Sequence, residues 1–181
     1  MYFDVIFAGF GGQGVMLMGN MLSVAGMHAG KQITYMPVYG VEMRGGTANC
    51  TVVVSDRPVG SPVVHEPVCA VVMNRPSAEK FAPRVLKKGM VLVNASLVDP
   101  KYVKARTKKV IYVPCLELAT EVGNPRLGNM IMLGALCQAS GVLDVEQVVK
   151  ALPKALDQRY HKMIPINTEA LRRGGRFVAE L

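Results

Sequence analysis

The chain has 181 residues, half of them hydrophobic and 19% charged, and 21 Lys and Arg against 13 Asp and Glu leave a formal net charge of +8. That length bounds it to a single domain over 1–181, and the apolar composition makes intrinsic disorder untenable, because disordered chains lack the apolar surface to offset the entropy of ordering. No apolar run approaches the roughly 18–20 residues of a membrane-spanning helix, since Gly19, Asn20, Ser23, Gly26, His28 and Gly30 interrupt the stretch after Met16.

In chain order, Tyr2 to Ala8 reads as a strand, and a glycine cluster follows from Gly9 to Gly14. A helix is expected from Val15 to His28, closed by Gly30, then a strand over Lys31 to Met36. Pro37 to Gly46 reads as a loop and Thr47 to Ser55 as a β-rich run. A parallel pair needs about a dozen or more connecting residues, so the step between these two strands is expected to be antiparallel. Further on, strands are expected over Val68–Met73, Gly89–Asn94 and Lys109–Val113, with helices over Ser77–Lys87 and Pro100–Arg106 between them. Strands alternating with helices predict a three-layer α/β/α, Rossmann-like domain with a mostly parallel, mixed sheet. The C-terminal third reads helical from Leu116, with breaks at Gly123-Asn124-Pro125, Gly141, Pro153 and Pro165, and a last helix ended by Gly174-Gly175.

Met1-Tyr2-Phe3-Asp4 lacks the basic start of a signal peptide, so a cytoplasmic protein is expected. Cys50, Cys69, Cys115 and Cys137 form no CxxC, and His28, His65 and His161 are not paired at ligand spacing. No metal site is expected, and the cysteines read as buried, reduced thiols. Met16, Met18, Met21 and Met27 read chiefly as core filler. The basic residues read as dispersed, aromatics are 6% and Trp is absent, which argues against nucleic-acid binding.

Gly9-Phe10-Gly11-Gly12-Gln13-Gly14 matches G-x-G-x-x-G between a strand and a helix. Glycines there permit a tight turn and let backbone N–H groups approach an anion. A dinucleotide site also wants an acidic residue ending the second strand, and after Asp4 the next acid is Glu42. A second run, Tyr39-Gly40-Val41-Glu42-Met43-Arg44-Gly45-Gly46, sets Glu42 and Arg44 two apart among glycines. Its arginine could hold a carboxylate or phosphate, or could simply brace the turn through a surface ion pair.

Together the two runs resemble the gamma subunit of 2-oxoacid:ferredoxin oxidoreductases. Three further segments are similar to that family: Ser55 to Pro62, Gly123 to Gly134 with Gly128 where an alanine is common, and Asn167 to Leu171 followed by Gly174. The resemblance implies an α/β domain packed on thiamine-binding partners, in an enzyme that decarboxylates a 2-oxoacid, forms an acyl-CoA and reduces ferredoxin. Thiamine diphosphate, magnesium and iron–sulfur clusters would reside on alpha, beta and ferredoxin-like subunits, with no cofactor bound and no catalytic residue supplied by this chain alone. Gly9, Gly11, Gly12, Gln13 and Gly14 would face the active site or the coenzyme A route. Tyr39, Gly40, Glu42, Arg44, Gly45 and Gly46 would form a loop toward partners or the active site, and Asn124, Arg126 and Asn129 a secondary group. The pattern after Glu42 ranks 2-oxoglutarate first and 2-oxoisovalerate second as substrate. Alternatives are a stand-alone nucleotide-binding oxidoreductase and a homodimeric binding module; a homodimer is also expected if the gamma chain is isolated from its partners.

Overall fold

The computed structural model describes residues 1–39 and 47–181, excluding the side chains of Tyr39 and Thr47. Six strands form one sheet in the order β2-β3-β1-β4-β5-β6. They are β1 (Tyr2–Phe10), β2 (Gln32–Tyr39), β3 (Thr47–Ser55), β4 (Cys69–Val72), β5 (Met90–Asn94) and β6 (Lys109–Val113). Strand β3 runs antiparallel to both β1 and β2, whereas β1-β4-β5-β6 is parallel throughout. The expected α/β mixed sheet and its antiparallel step are therefore present. Strand β2 runs three residues beyond its expected end and carries Pro37. Proline is tolerated there because β2 is an edge strand with one unpaired side.

Alternation along β1 divides the interior. Val5 and Phe7 point into a large core shared with the helical layer, while Ile6 and Ala8 point into a smaller one. The helical layer holds α1 (Val15–His28), α3 (Cys115–Glu121), α4 (Gly128–Ser140), α5 (Val145–Ala155) and α6 (Ile164–Ala179). The opposite face is covered more thinly, by α2 (Arg75–Phe81), a 3₁₀ turn over Ala82–Arg84 and the connection that leads to β6. Among the methionines of α1, Met18 and Met21 are buried, Met16 is partly buried and Met27 is exposed.

Four expectations about helices are corrected. The stretch after Pro100 forms one 3₁₀ turn, Pro100–Tyr102, started by the Asp99 side chain accepting from Lys101 N–H. Pro165 does not break a helix; it occupies the first turn of α6, where its missing N–H has no helical partner to lose. Gly174-Gly175 does not end that helix, which runs on to Ala179. A β-carbon on Gly174 would lie 1.9 Å from the Ile131 carbonyl oxygen, and one on Gly134 1.9 Å from that of Leu171. These glycines let the backbones of α4 and α6 touch. Pro153 likewise falls inside α5, two residues from its end. No helix among the described residues is long and apolar enough to cross a membrane.

Candidate functional site

The chain leaves β1 toward β2 on one side and returns to β4 on the other. The carboxyl ends of β1 and β4 thus flank a topological switch point, where open α/β sheets characteristically bind ligands. The glycine turn lies there. Gln13 N–H donates to Phe10 O at 3.1 Å and closes the turn. Gly12 and Gly14 have φ of 94° and 74°, which L side chains rarely adopt. Gly14 caps α1, with no side chain bonding the first helical amides and no acidic residue in the first turn. Gly11 and Gly12 are exposed.

Three carboxamides staple the strand ends around the carbonyl of Met73. Gln13 Nε2 donates to it at 3.2 Å and Asn94 Nδ2 at 3.3 Å. Gln13 Oε1 accepts from Phe10 N–H at 2.7 Å and from Asn74 Nδ2 at 3.0 Å. Asn74 in turn caps α2, accepting from Ser77 N–H at 2.9 Å. Gln13 lines the crevice, and its carboxamide is engaged in holding the ends of β1 and β4 together. Gly9 lies behind it, where a β-carbon would fall 2.8 Å from Gln13 Oε1.

A cavity of about 200 Å³ opens beyond this staple. Gly12, Gln13, Arg126 and Asn129 line it, so the glycine turn and the later Asn-Pro-Arg segment meet in space. Asn124 does not line it; its side chain accepts from Arg126 N–H at 3.1 Å and shapes the 3₁₀ turn that presents Arg126. The Arg126 guanidinium is exposed and has no ion pair or hydrogen bond among the described residues. Asn94, Ser96, Leu97 and Leu116 also line the cavity and were missed from sequence. The available signal was polar Asn94 ending the buried run Val-Leu-Val of a parallel strand. Ser96 Oγ accepts from Leu116 N–H at 2.9 Å and donates to Glu117 at 2.5 Å, which holds that carboxyl below its ordinary range. Leu97 and Leu116 are half or more exposed and form an apolar rim to the cavity.

Of the second expected loop, Tyr39 ends β2, and Gly40, Glu42, Arg44, Gly45 and Gly46 lie outside the described residues. Tyr39 and Gly9 are both register partners of Ala48. Tyr39 and Thr47 therefore lie at the sheet end that carries the glycine turn.

All four cysteines are free and buried. Burial pushes the thiols of Cys50 and Cys137 up to about 12, and those of Cys69 and Cys115 higher still. Among the described residues, no three His, Cys, Asp or Glu side chains are placed to hold a metal ion.

A family model described as pyruvate ferredoxin/flavodoxin oxidoreductase matches residues 4–177. The ketoisovalerate oxidoreductase subunit VorA of Methanothermobacter marburgensis is 40% identical over 169 residues, covering 92% of this chain and 34% of the relative. The chain thus spans about a third of that relative's length. The 2-oxoglutarate synthase subunit KorC of Methanocaldococcus jannaschii is 30% identical over 162 residues, covering 86% of this chain and 87% of the relative. The fold also matches a solved 2-oxoglutarate:ferredoxin oxidoreductase from Magnetococcus marinus with 2-oxoglutarate, coenzyme A and succinyl-CoA bound. That match has a TM-score of 0.86 at 19% identity and covers 99% of this chain and 31% of the other.

Proposed function

The chain belongs to the pyruvate ferredoxin/flavodoxin oxidoreductase family, and from that premise we propose that it serves a multi-subunit, thiamine-dependent 2-oxoacid:ferredoxin oxidoreductase as the gamma subunit whose crevice receives the phosphates of coenzyme A. The carrying observation is the exposed Gly12 of the glycine turn and the unpaired Arg126 on one cavity at the switch point. Backbone amides at the start of α1 favour an anion, and the arginine fork adds two parallel donors to phosphate oxygens. Asn129 supplies a further polar wall. A cavity of about 200 Å³ suits a diphosphate rather than a whole nucleotide, so the pantetheine arm would run past the Leu97–Leu116 rim toward a partner subunit.

The described lining of the crevice contains no carboxylate. It does not fit the magnesium that thiamine diphosphate requires, so thiamine diphosphate and the iron–sulfur clusters are assigned to the alpha, beta and ferredoxin-like subunits. The role of this chain is to hold the acyl acceptor in register with chemistry carried out elsewhere. The 40% identity to the ketoisovalerate subunit supports a branched-chain 2-oxoacid. The near full-length match to the 2-oxoglutarate subunit supports 2-oxoglutarate.

The test is reconstitution with the other subunits. Acceptor reduction is expected to require the oxoacid, coenzyme A and this chain together, and the rates with the two oxoacids decide the substrate. Oxoacid-dependent reduction by the lone chain, or micromolar binding of NAD(H) to it, would sink this reading and favour a stand-alone nucleotide enzyme.

A further inference from the structure

The net charge of this molecule is not spread over it. Between Glu66 and Lys109 lie ten of the 21 basic residues but three of the 13 acidic ones, a net +7 of the chain's +8. This segment forms β4, α2, β5 and their connections, and it builds the thin layer on the sheet face opposite α1 and α4. All three acids are already taken: Glu66 by Arg106 at 2.5 Å, Glu79 by Arg75 at 2.9 Å and Asp99 by Lys101 at 2.9 Å. Lys80, Lys87, Lys88, Lys104 and Lys108 are exposed and have no ion pair among the described residues.

The densest part is at the amino ends of β5 and β6. Thr107 Oγ1 donates to Gly89 O at 2.5 Å, and Arg106 Nε to Val85 O at 3.4 Å. These bonds set the turn bearing Lys87 and Lys88 beside the segment bearing Lys108. Leu86 is exposed among them. The patch lies at the opposite end of the strands from the crevice, so it is a second surface.

We propose that this basic face docks a protein whose surface presents clustered carboxylates around an apolar spot, with Lys87, Lys88 and Lys108 supplying charge and Leu86 the dry contact. Charge complementarity carries the assignment. Single-stranded nucleic acid would stack bases on free aromatic faces. Here the Tyr102 ring is covered by the Arg75 guanidinium, 3.6 Å from its centroid, and Phe81 is buried. An anionic bilayer would call for an amphipathic helix with several apolar anchors, whereas α2 has seven residues. The proposal stands independently of the coenzyme A assignment.

Poly-L-glutamate is the probe. Its binding to the full chain is followed by fluorescence anisotropy, and zero-length carbodiimide coupling to the wild-type chain maps which lysines it meets. Coupling is expected at Lys87, Lys88 and Lys108. The triple reversal K87E/K88E/K108E is expected to weaken binding about tenfold or more, and the equally charged control K150E/K154E/K162E less than about twofold. Equal loss in both variants, coupling spread evenly to Lys150, Lys154 and Lys162, or tighter binding of oligothymidylate or phosphatidylserine vesicles at the same ionic strength would overturn the proposal. The mapping uses the unaltered chain, so it decides the matter even if a variant folds poorly.

Discussion

Asn129 lies directly against Gly14: a β-carbon at position 14 would fall 2.3 Å from Asn129 Nδ2. The cap of α1 and the first turn of α4 are thereby in contact, although 115 positions separate Gly14 from Asn129 in the chain. Gly14 also has φ of 74°. G14A is expected to cost about 2 kcal/mol, combining roughly 1–2 kcal/mol for a left-handed L residue with displacement of Asn129. Urea denaturation measures it. Gly11 has neither constraint, so G11A should stay within about 0.5 kcal/mol of wild type.

Removing the Gln13 carboxamide leaves Phe10 N–H and the Asn74 amide short of an acceptor. Q13A is therefore expected to destabilise the fold by about 1–3 kcal/mol, read from the denaturation midpoint at unchanged slope. Loss of coenzyme A response without loss of stability would instead make Gln13 a ligand and not a staple.

The α4–α6 crossing is the least forgiving contact in the helical layer. G134A and G174A each place a carbon 1.9 Å from a backbone oxygen of the facing helix, and the helices must separate to admit it. Overpacking of this kind typically costs about 1–3 kcal/mol or more. Both variants are expected to lower the thermal midpoint, and the double variant to cost less than the sum, because one separation serves both sites.

Much of the sheet is legible in the sequence because its signals are local. Val52-Val53-Val54, Ala70-Val71-Val72 and Val91-Leu92-Val93 are β-branched or apolar runs bounded by turn residues. The meeting of Gly12 with Arg126 and Asn129 is not local, and only the family resemblance placed both segments among the functional residues. Glycine misled at Gly174-Gly175, because a helix stop and a close helix crossing ask for the same residue. Proline misled at Pro165, because the first turn of a helix tolerates it, and at Pro153, where α5 forgoes one helical hydrogen bond and ends two residues later. The lysines read as dispersed because spacing along the sequence does not show that the Thr107–Gly89 bond sets Lys87-Lys88 beside Lys108.

The thiols give a direct check on burial. All four are buried, with acidities pushed well above the ordinary range. At pH 8 the native chain is expected to react negligibly with an aromatic disulfide reagent over minutes, and to release four equivalents once unfolded. A fast native equivalent would contradict the packing around that cysteine.

Asp56 accepts from the Lys31 ammonium at 2.6 Å and also meets the Met1 ammonium. These contacts lower its carboxyl to about 2. A folded value below the unfolded one means the contribution is present above roughly pH 4 and is lost as pH falls through about 2. D56N should therefore be less stable than wild type at pH 6, with the gap closing toward pH 2 and shrinking in high salt. Denaturation midpoints across that range test it.

The account centres on Arg126 as a phosphate-binding group for coenzyme A, and the deciding measurement is the steady-state kinetics of R126A in the reconstituted enzyme. The Michaelis constant for coenzyme A is expected to rise about tenfold or more, in line with about 1.5–3 kcal/mol for a charge-assisted hydrogen bond, while that for the 2-oxoacid stays unchanged. A coenzyme A constant equal to wild type, or a rise for the oxoacid instead, would contradict it.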